Sequence, residues 1–221
     1  MKRTSLIIAL LGTVLAASPP PVAAQWQGMP VWNNPKGGTG ITINGDVGFP
    51  NTDAQKGTAF GARATLGFTA LAVTAGVSSW KPDGFNSSST SWAGVAQFRV
   101  IGGSLMPVAL NIQLGAGSGK RIVSGTDTLP KTTNVFAGAG VSVNLPTPGL
   151  NLEPYLSVSN RWHDPSEGST ESNVGWVIGA NVGFGMWGLH VAYDSESYGG
   201  GTTHGIWGIG AHFALNAPVG M

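Results

Sequence analysis

The chain has no cysteine, few charges and, after its first two dozen residues, no long apolar run. Without Cys there is neither a disulfide framework nor a thiolate metal site. Without a run of about 18 apolar residues, a helical membrane span is not expected. Setting aside Lys2 and Arg3 leaves 9 basic and 10 acidic residues. That balance lacks the clustered positive charge a nucleic-acid partner calls for. Charged residues make up only 10% of the chain, little for a surface bathed in water. Glycine, by contrast, reaches 35 residues.

Residues 1–24 read as a secretory leader. Lys2 and Arg3 are followed by an apolar stretch from Leu6 to Ala17, and Val22-Ala23-Ala24 supplies small residues before a cut at Gln25. The apolar stretch is short of the ~20 residues that span a bilayer. No Cys follows the cut, so a lipid anchor there is not expected. The 197 residues left of 221 are the size of one domain.

Alternation organises the rest. Val174, Trp176, Ile178, Ala180, Val182 and Phe184 share one face; Asn173, Gly175, Gly179, Asn181 and Gly183 share the other. A two-residue turn, Gly185-Met186, leads into Trp187, Leu189, Val191 and Tyr193, which alternate again. A period of two marks strands whose faces meet different surroundings. An irregular segment, 25–38, precedes strands expected at 39–49, 58–68, 71–79, 92–101, 107–117, 133–145, 152–162, 173–184, 187–194 and 205–215. The connections alternate too. Thr69-Ala70, Gly102–Pro107, Leu145–Leu152 and Gly185-Met186 are short, whereas 50–57, 80–91, 118–132, 163–172 and 195–204 are longer and polar. Short turns on one rim and long loops on the other are a property of bacterial outer-membrane barrels.

The tight turns test the faces. Residues flanking a two-residue hairpin loop share a face, and the pairs Phe68/Leu71 and Phe184/Trp187 are both apolar. A secreted lipocalin-like barrel would turn this apolar face inward; a membrane barrel turns it outward. Two observations favour outward. Phe49, Phe60, Trp92, Trp162, Trp176, Tyr193 and Trp207 gather toward the long-loop rim, and Phe68, Phe184, Trp187 and Phe213 toward the other. Such aromatic belts suit two membrane–water interfaces. The other face is mostly Gly, Ser, Thr and Asn, with too little charge for an exposed surface. Trp80 breaks the apolar parity of Leu71, Val73, Ala75 and Val77, which predicts a bulge near Ser78-Ser79 or a place in the loop.

On this pattern residues 39–215 resemble the small outer-membrane β-barrel proteins of Gram-negative bacteria, the class holding OmpA-type and OmpW-like barrels. The resemblance implies partners in outer-membrane lipid, lipopolysaccharide and the barrel-assembly machinery. It departs in one respect: six residues follow Phe213-Ala214-Leu215, where such chains usually finish on an aromatic.

Candidate chemistry is sparse. Gly115-Ala-Gly-Ser-Gly-Lys120 fails as a phosphate loop, because Leu114 and Arg121 stand where Gly and Ser or Thr are required. His163, Asp164, Glu167, Asp194 and His204 lie at the long-loop rim, where the omptin proteases hold acidic residues and a His. His with a carboxylate can activate water. Even so, the paired-acid plus Asp-x-His pattern is missing, and so is the His-x-Ser motif of outer-membrane lipid A deacylases. No catalytic or metal site and no cofactor are expected. The inward set is Asp46, Arg63, Gln97, Arg99, Asn111, Gln113, Glu153, Arg161, Asn181 and His190. Among them Gly61, Gly67, Gly138, Gly140, Gly179, Gly208 and Gly210 leave room. If Phe49 pairs with Phe60, Asp46 stands opposite Arg63.

The expected fold is all-β: one closed antiparallel transmembrane barrel of ten strands, with eight or twelve as alternatives, and a short tail at 216–221. The first function it suggests is a narrow porin-like channel for small polar solutes, lined by the inward set. The other is a non-conducting structural or adhesive barrel whose loops contact lipopolysaccharide or a partner, with 25–38 available as a plug.

Overall fold

The computed structural model describes residues 26–103, 106–124, 127–166, 168–198 and 201–216. The expected leader, Glu167 and the end of the tail lie outside these residues. The strands are β1 (Gly40–Pro50), β2 (Gly57–Phe68), β3 (Leu71–Pro82), β4 (Ser89–Gly103) and β5 (Met106–Gly119). There follow β6 (Ile122–Ser124), β7 (Asp127–Leu129), β8 (Thr132–Val143), β9 (Leu145–Thr147) and β10 (Leu150–Pro165). The last three are β11 (Glu171–Phe184), β12 (Trp187–Ser197) and β13 (Thr203–Asn216).

Each long strand pairs antiparallel with its neighbours in the chain, β13 pairs with β1, and β10 with β11, so the sheet closes. Ten strands make the barrel: β1–β5, β8 and β10–β13. The short β9 pairs with the start of β10, and β6 and β7 form a separate hairpin within the 118–132 connection. Closure removes the sheet edges, which is the only way a β-structure satisfies its backbone inside lipid.

The two-residue turns have the expected register: Phe68 lies opposite Leu71, and Phe184 opposite Trp187. Strands run longer than expected, up to 16 residues in β10, because they continue past the apolar band on the long-loop side. Outward residues such as Ile43, Phe60, Leu114, Val158, Ile178 and Trp207 are exposed, whereas their in-strand neighbours are buried or half-buried. The outer surface is therefore apolar and the inner one mixed.

Two local expectations are corrected. Trp80 is neither at a bulge nor in a loop: it sits within β3 opposite Ala59, buried and facing inward. Its parity is regular; what the alternation could not show is that the interior itself contains an apolar core. The register irregularity falls in β4 instead, between Arg99 and Gly103. There Gly102 adopts φ 114°, and a Cβ would lie 2.7 Å from that of Ala109. The second correction is the β1–β2 register. Val47, not Phe49, lies opposite Phe60, so Asp46 faces Gly61 and Arg63 faces Asn44. Phe49 pairs across the other edge of β1, with Trp207.

Candidate functional site

Residues 26–38 run through the inside of the barrel. Trp26, Met29, Val31, Trp32 and Asn33 are each no more than 5% exposed. The segment turns twice, with Met29 N donating to Trp26 O (3.0 Å) and Gly37 N to Asn34 O (3.0 Å). Around it gather Trp80, Ala93, Val95, Phe136, Tyr155, Val177 and Ile122, the buried apolar cluster of the molecule. Ile122 belongs to the β6–β7 hairpin, so one long connection also reaches this core.

The wall holds the segment by hydrogen bonds along its length. Toward the long-loop rim, Gln27 N donates to Ser91 Oγ (2.9 Å), Ser78 Oγ donates to Gln27 O (3.1 Å), and Ser89 Oγ bonds Gln27 Oε1. Val31 N donates to Asp194 Oδ2 at 2.7 Å. Midway, Asn33 Oδ1 accepts from Asn111 Nδ2 (2.7 Å) and Gln97 Nε2 (3.0 Å), and Asn33 O accepts from Asn181 Nδ2 (3.4 Å). Gln97 Nε2 also reaches Gln113 Oε1 at 3.4 Å. Toward the short-turn rim, Lys36 N donates to Glu153 Oε1 (3.1 Å) and Arg99 Nη1 to Lys36 O (2.6 Å). Glu153 takes a second bond from Ser142 Oγ at 2.6 Å. A buried backbone without such partners would carry an unsatisfied-group cost at each position.

The inner-face glycines have a steric use here. A Cβ at Gly208 would lie 2.6 Å from Pro30 Cγ, one at Gly140 would collide with Asn33, and one at Gly48 with the Gly28 carbonyl. The bareness of the wall is therefore fitted to an occupant.

Two charged clusters flank the middle. In the first, Arg63 Nε donates to Asp46 Oδ2 (2.6 Å) and Nη2 to Oδ1 (3.0 Å), while His190 Nε2 lies 2.6 Å from Asp46 Oδ1. The Arg63–Asp46 contact is diagonal rather than directly opposite, a span within the reach of a long side chain. Arg63 also lies over the Trp32 ring at 4.9 Å, a cation–π contact, and His190 meets that ring edge-on at 4.6 Å. In the second, Arg161 Nη1 bridges Asp194 Oδ1 (2.8 Å) and Glu196 Oε2 (3.1 Å), and its Nε donates to Ser159 Oγ (3.1 Å). His163 Nε2 bonds Glu196, and its Nδ1 lies 2.8 Å from Asn134 Oδ1. Tyr198, beyond the end of β12, stacks on His163 and His204; burial, with Glu196 beside it, pushes its phenol above the usual value.

The first cluster yields a direct check. Arg63→Ala and Asp46→Ala are each expected to destabilise the barrel, and the double variant by clearly less than their sum, since both singles strand a partner. Denaturant unfolding in detergent measures the cycle; additive effects would show that the pair does not interact.

Of the ten residues named from the sequence, Asp46, Gln97, Asn111, Gln113, Glu153, Arg161 and His190 are buried and Arg63, Arg99 and Asn181 half-buried, most of them bonded to one another or to the 26–38 segment. Of the rim residues, His163, Asp194 and His204 come together around one small cavity, while Asp164 turns to Thr170. Glu196 and Tyr198 were missed: both follow the last apolar residue of β12, where alternation has stopped carrying information. Gly115–Gly119, the phosphate-loop look-alike, is part of β5, and Gly115 makes room for the Phe136 ring. A larger cavity of about 420 Å³ lies on the short-turn side, bordered by Trp32, Arg63, Glu153, His190 and His212.

No protein-family model matches the chain, and no curated protein sequence matches it. Among solved structures, the β domain of the Bordetella autotransporter BrkA is 11% identical, with a TM-score of 0.54 over 81% of this chain and 100% of that domain. LpxR from Salmonella typhimurium is 9% identical, with a TM-score of 0.43 over 87% of this chain and 80% of that one. Neisserial surface protein A is 13% identical, with a TM-score of 0.36 over 80% and 98%. The fold is that of the outer-membrane β-barrels.

Proposed function

We propose that this chain is a bacterial outer-membrane barrel kept non-conducting by its own N-terminal segment, exported by a leader cut before Gln25. The observation that carries this reading is the passage of residues 26–38 through the lumen, bonded to the wall near both rims and at the middle. A narrow channel for small polar solutes, the other function the inward residues suggest, would require that segment to move. The exposed apolar outer face supports lipid as its surroundings, with the aromatic residues at the strand ends as interfacial belts. Lipopolysaccharide would then surround the long-loop half, and the barrel-assembly machinery would read the last strand around Phe213. No catalytic role is assigned.

Planar-bilayer recording of the mature chain tests the closed lumen: a membrane with inserted barrels and no steady current is expected, and discrete open levels from the outset would overturn it. The lipid face has its own test. Ala139→Arg places a charge on the outer face of β8 and is expected to cost about 2–4 kcal/mol near the bilayer midplane. Unfolding in lipid vesicles measures it, and a neutral effect would speak against a membrane-facing surface.

A further inference from the structure

Residues 26–38 have a direction as well as a place. Along β4, which descends from the long-loop rim to the short-turn rim, their contacts advance in order. Gln27 N donates to Ser91 Oγ (2.9 Å), Asn33 Oδ1 accepts from Gln97 Nε2 (3.0 Å), and Lys36 O accepts from Arg99 Nη1 (2.6 Å). At the lower end the Gly38 carbonyl would lie 2.1 Å from a Cβ at Gly67, and β1 then starts at Gly40, between Gly67 and Asn216. At the upper end Gln27 and Gly28 are half-buried, and Gln27 bonds Ser89, the first residue of β4. Ser89 lies beyond Trp92, the outward aromatic of that strand. The segment therefore runs antiparallel to β1, with its Trp26 end at the long-loop rim.

That direction has a consequence for transport. In an outer membrane the long-loop rim faces outward, whereas an exported chain arrives from the inner side. The Trp26 end has then crossed the thickness of the bilayer. Lipid is closed to it, because irregular backbone finds no hydrogen-bond partners there and a charge at mid-bilayer is costly. The lumen supplies what lipid lacks. Ser78 and Ser91 serve the Gln27 backbone, Asn181 serves Asn33 O, and Glu153 serves Lys36 N. Gly48, Gly140 and Gly208 leave the width the segment needs, since a Cβ at any of them would collide with it.

We propose that the barrel carries its own amino-terminal end through the lumen to the cell surface, so that the chain preceding Trp26 is displayed outside. The proposal rests on the membrane reading above. Bilayer recording tests closure of the lumen, and two control positions test orientation, so the failures separate.

The chain has no Cys, so a single introduced thiol is the only one a maleimide can find. Ser-Cys is inserted between Gln25 and Trp26, and intact cells are treated with a membrane-impermeant polyethylene-glycol maleimide whose attachment is read as a gel shift. Ser87→Cys, in the exposed connection between β3 and β4, and Met186→Cys, in the exposed turn between β11 and β12, mark the two sides. Each variant is first shown to migrate as a heat-modifiable folded barrel. The inserted thiol and Ser87→Cys are expected to shift to the same extent in intact cells, and Met186→Cys only once the outer membrane is permeabilised. With Ser87→Cys labelled, a shift of the inserted thiol only after permeabilisation, or only after denaturation, would overturn the proposal. Labelling of Met186→Cys but not Ser87→Cys in intact cells would reverse the orientation and take the proposal with it. A Gly/Ser-rich epitope placed at the same junction gives a second readout: antibody staining of intact cells is expected, and staining confined to permeabilised cells would overturn surface display.

Discussion

Deleting residues 26–38 is expected to convert an electrically silent barrel into one with discrete open levels. The segment contributes Met29, Val31, Trp32 and Asn33 to the interior, and the space beyond it on the short-turn side is already a cavity of about 420 Å³. Ten closed strands do not collapse when their contents are removed, because the backbone ladder alone holds the circumference. The wall facing the segment carries Gly, Ser, Asn and Gln, which water can wet, beside the apolar Trp80, Val95, Phe136 and Tyr155. The deletion also removes part of the apolar core, so folding has to be checked by circular dichroism and heat-modifiable migration. A milder variant keeps the chain continuous: Met29→Ala with Trp32→Ala removes two of the large fillers. Truncations of buried side chains of this kind cost about 2–5 kcal/mol each, and brief, flickering openings are expected. A folded deletion variant that stays silent would show that something other than this segment closes the lumen.

Arg161→Met is expected to be the most destabilising single substitution, by about 3–5 kcal/mol. Arg161 is 1% exposed, and one guanidinium nitrogen serves both Asp194 and Glu196. Removing it strands two carboxylates in an interior that offers them little water. Asp194 also holds Val31 N, so the loss spreads to the plug. Arg161→Lys should recover only part of the stability, because a compact ammonium cannot reproduce the fork. The triple variant Arg161→Met, Asp194→Asn, Glu196→Gln should recover most of it, since no unpaired charge is left behind. Guanidinium unfolding in detergent measures the series. If the triple variant were as unstable as Arg161→Met alone, packing rather than charge pairing would be the source of the effect.

Much of this molecule is legible in its alternation. Strand number, the two apolar turn pairs and the inward side of Asp46, Arg63, Glu153 and Arg161 follow from a period of two, because a closed sheet between lipid and interior demands opposite chemistry at odd and even positions. Register does not follow from it. Pairing Phe49 with Phe60 and pairing Val47 with Phe60 keep the same faces, and only the tertiary structure chose the latter, leaving Arg63 to reach Asp46 along a diagonal. Trp80 was illegible for a related reason: its parity is regular, but periodicity assigns polar character to the inside and cannot foresee an apolar core there.

By itself, then, the sequence determined that the chain forms a barrel and, Trp80 apart, which strand positions turn inward, since both depend on local alternation and turn length. What occupies the interior was decided by tertiary structure alone. Glycine on an inner face means either empty space or a close-packed neighbour. Residues 26–38 have no period that could announce which, and only contacts between positions far apart in the chain, such as Val31 with Asp194 and Asn33 with Asn111, distinguish a filled lumen from an open one.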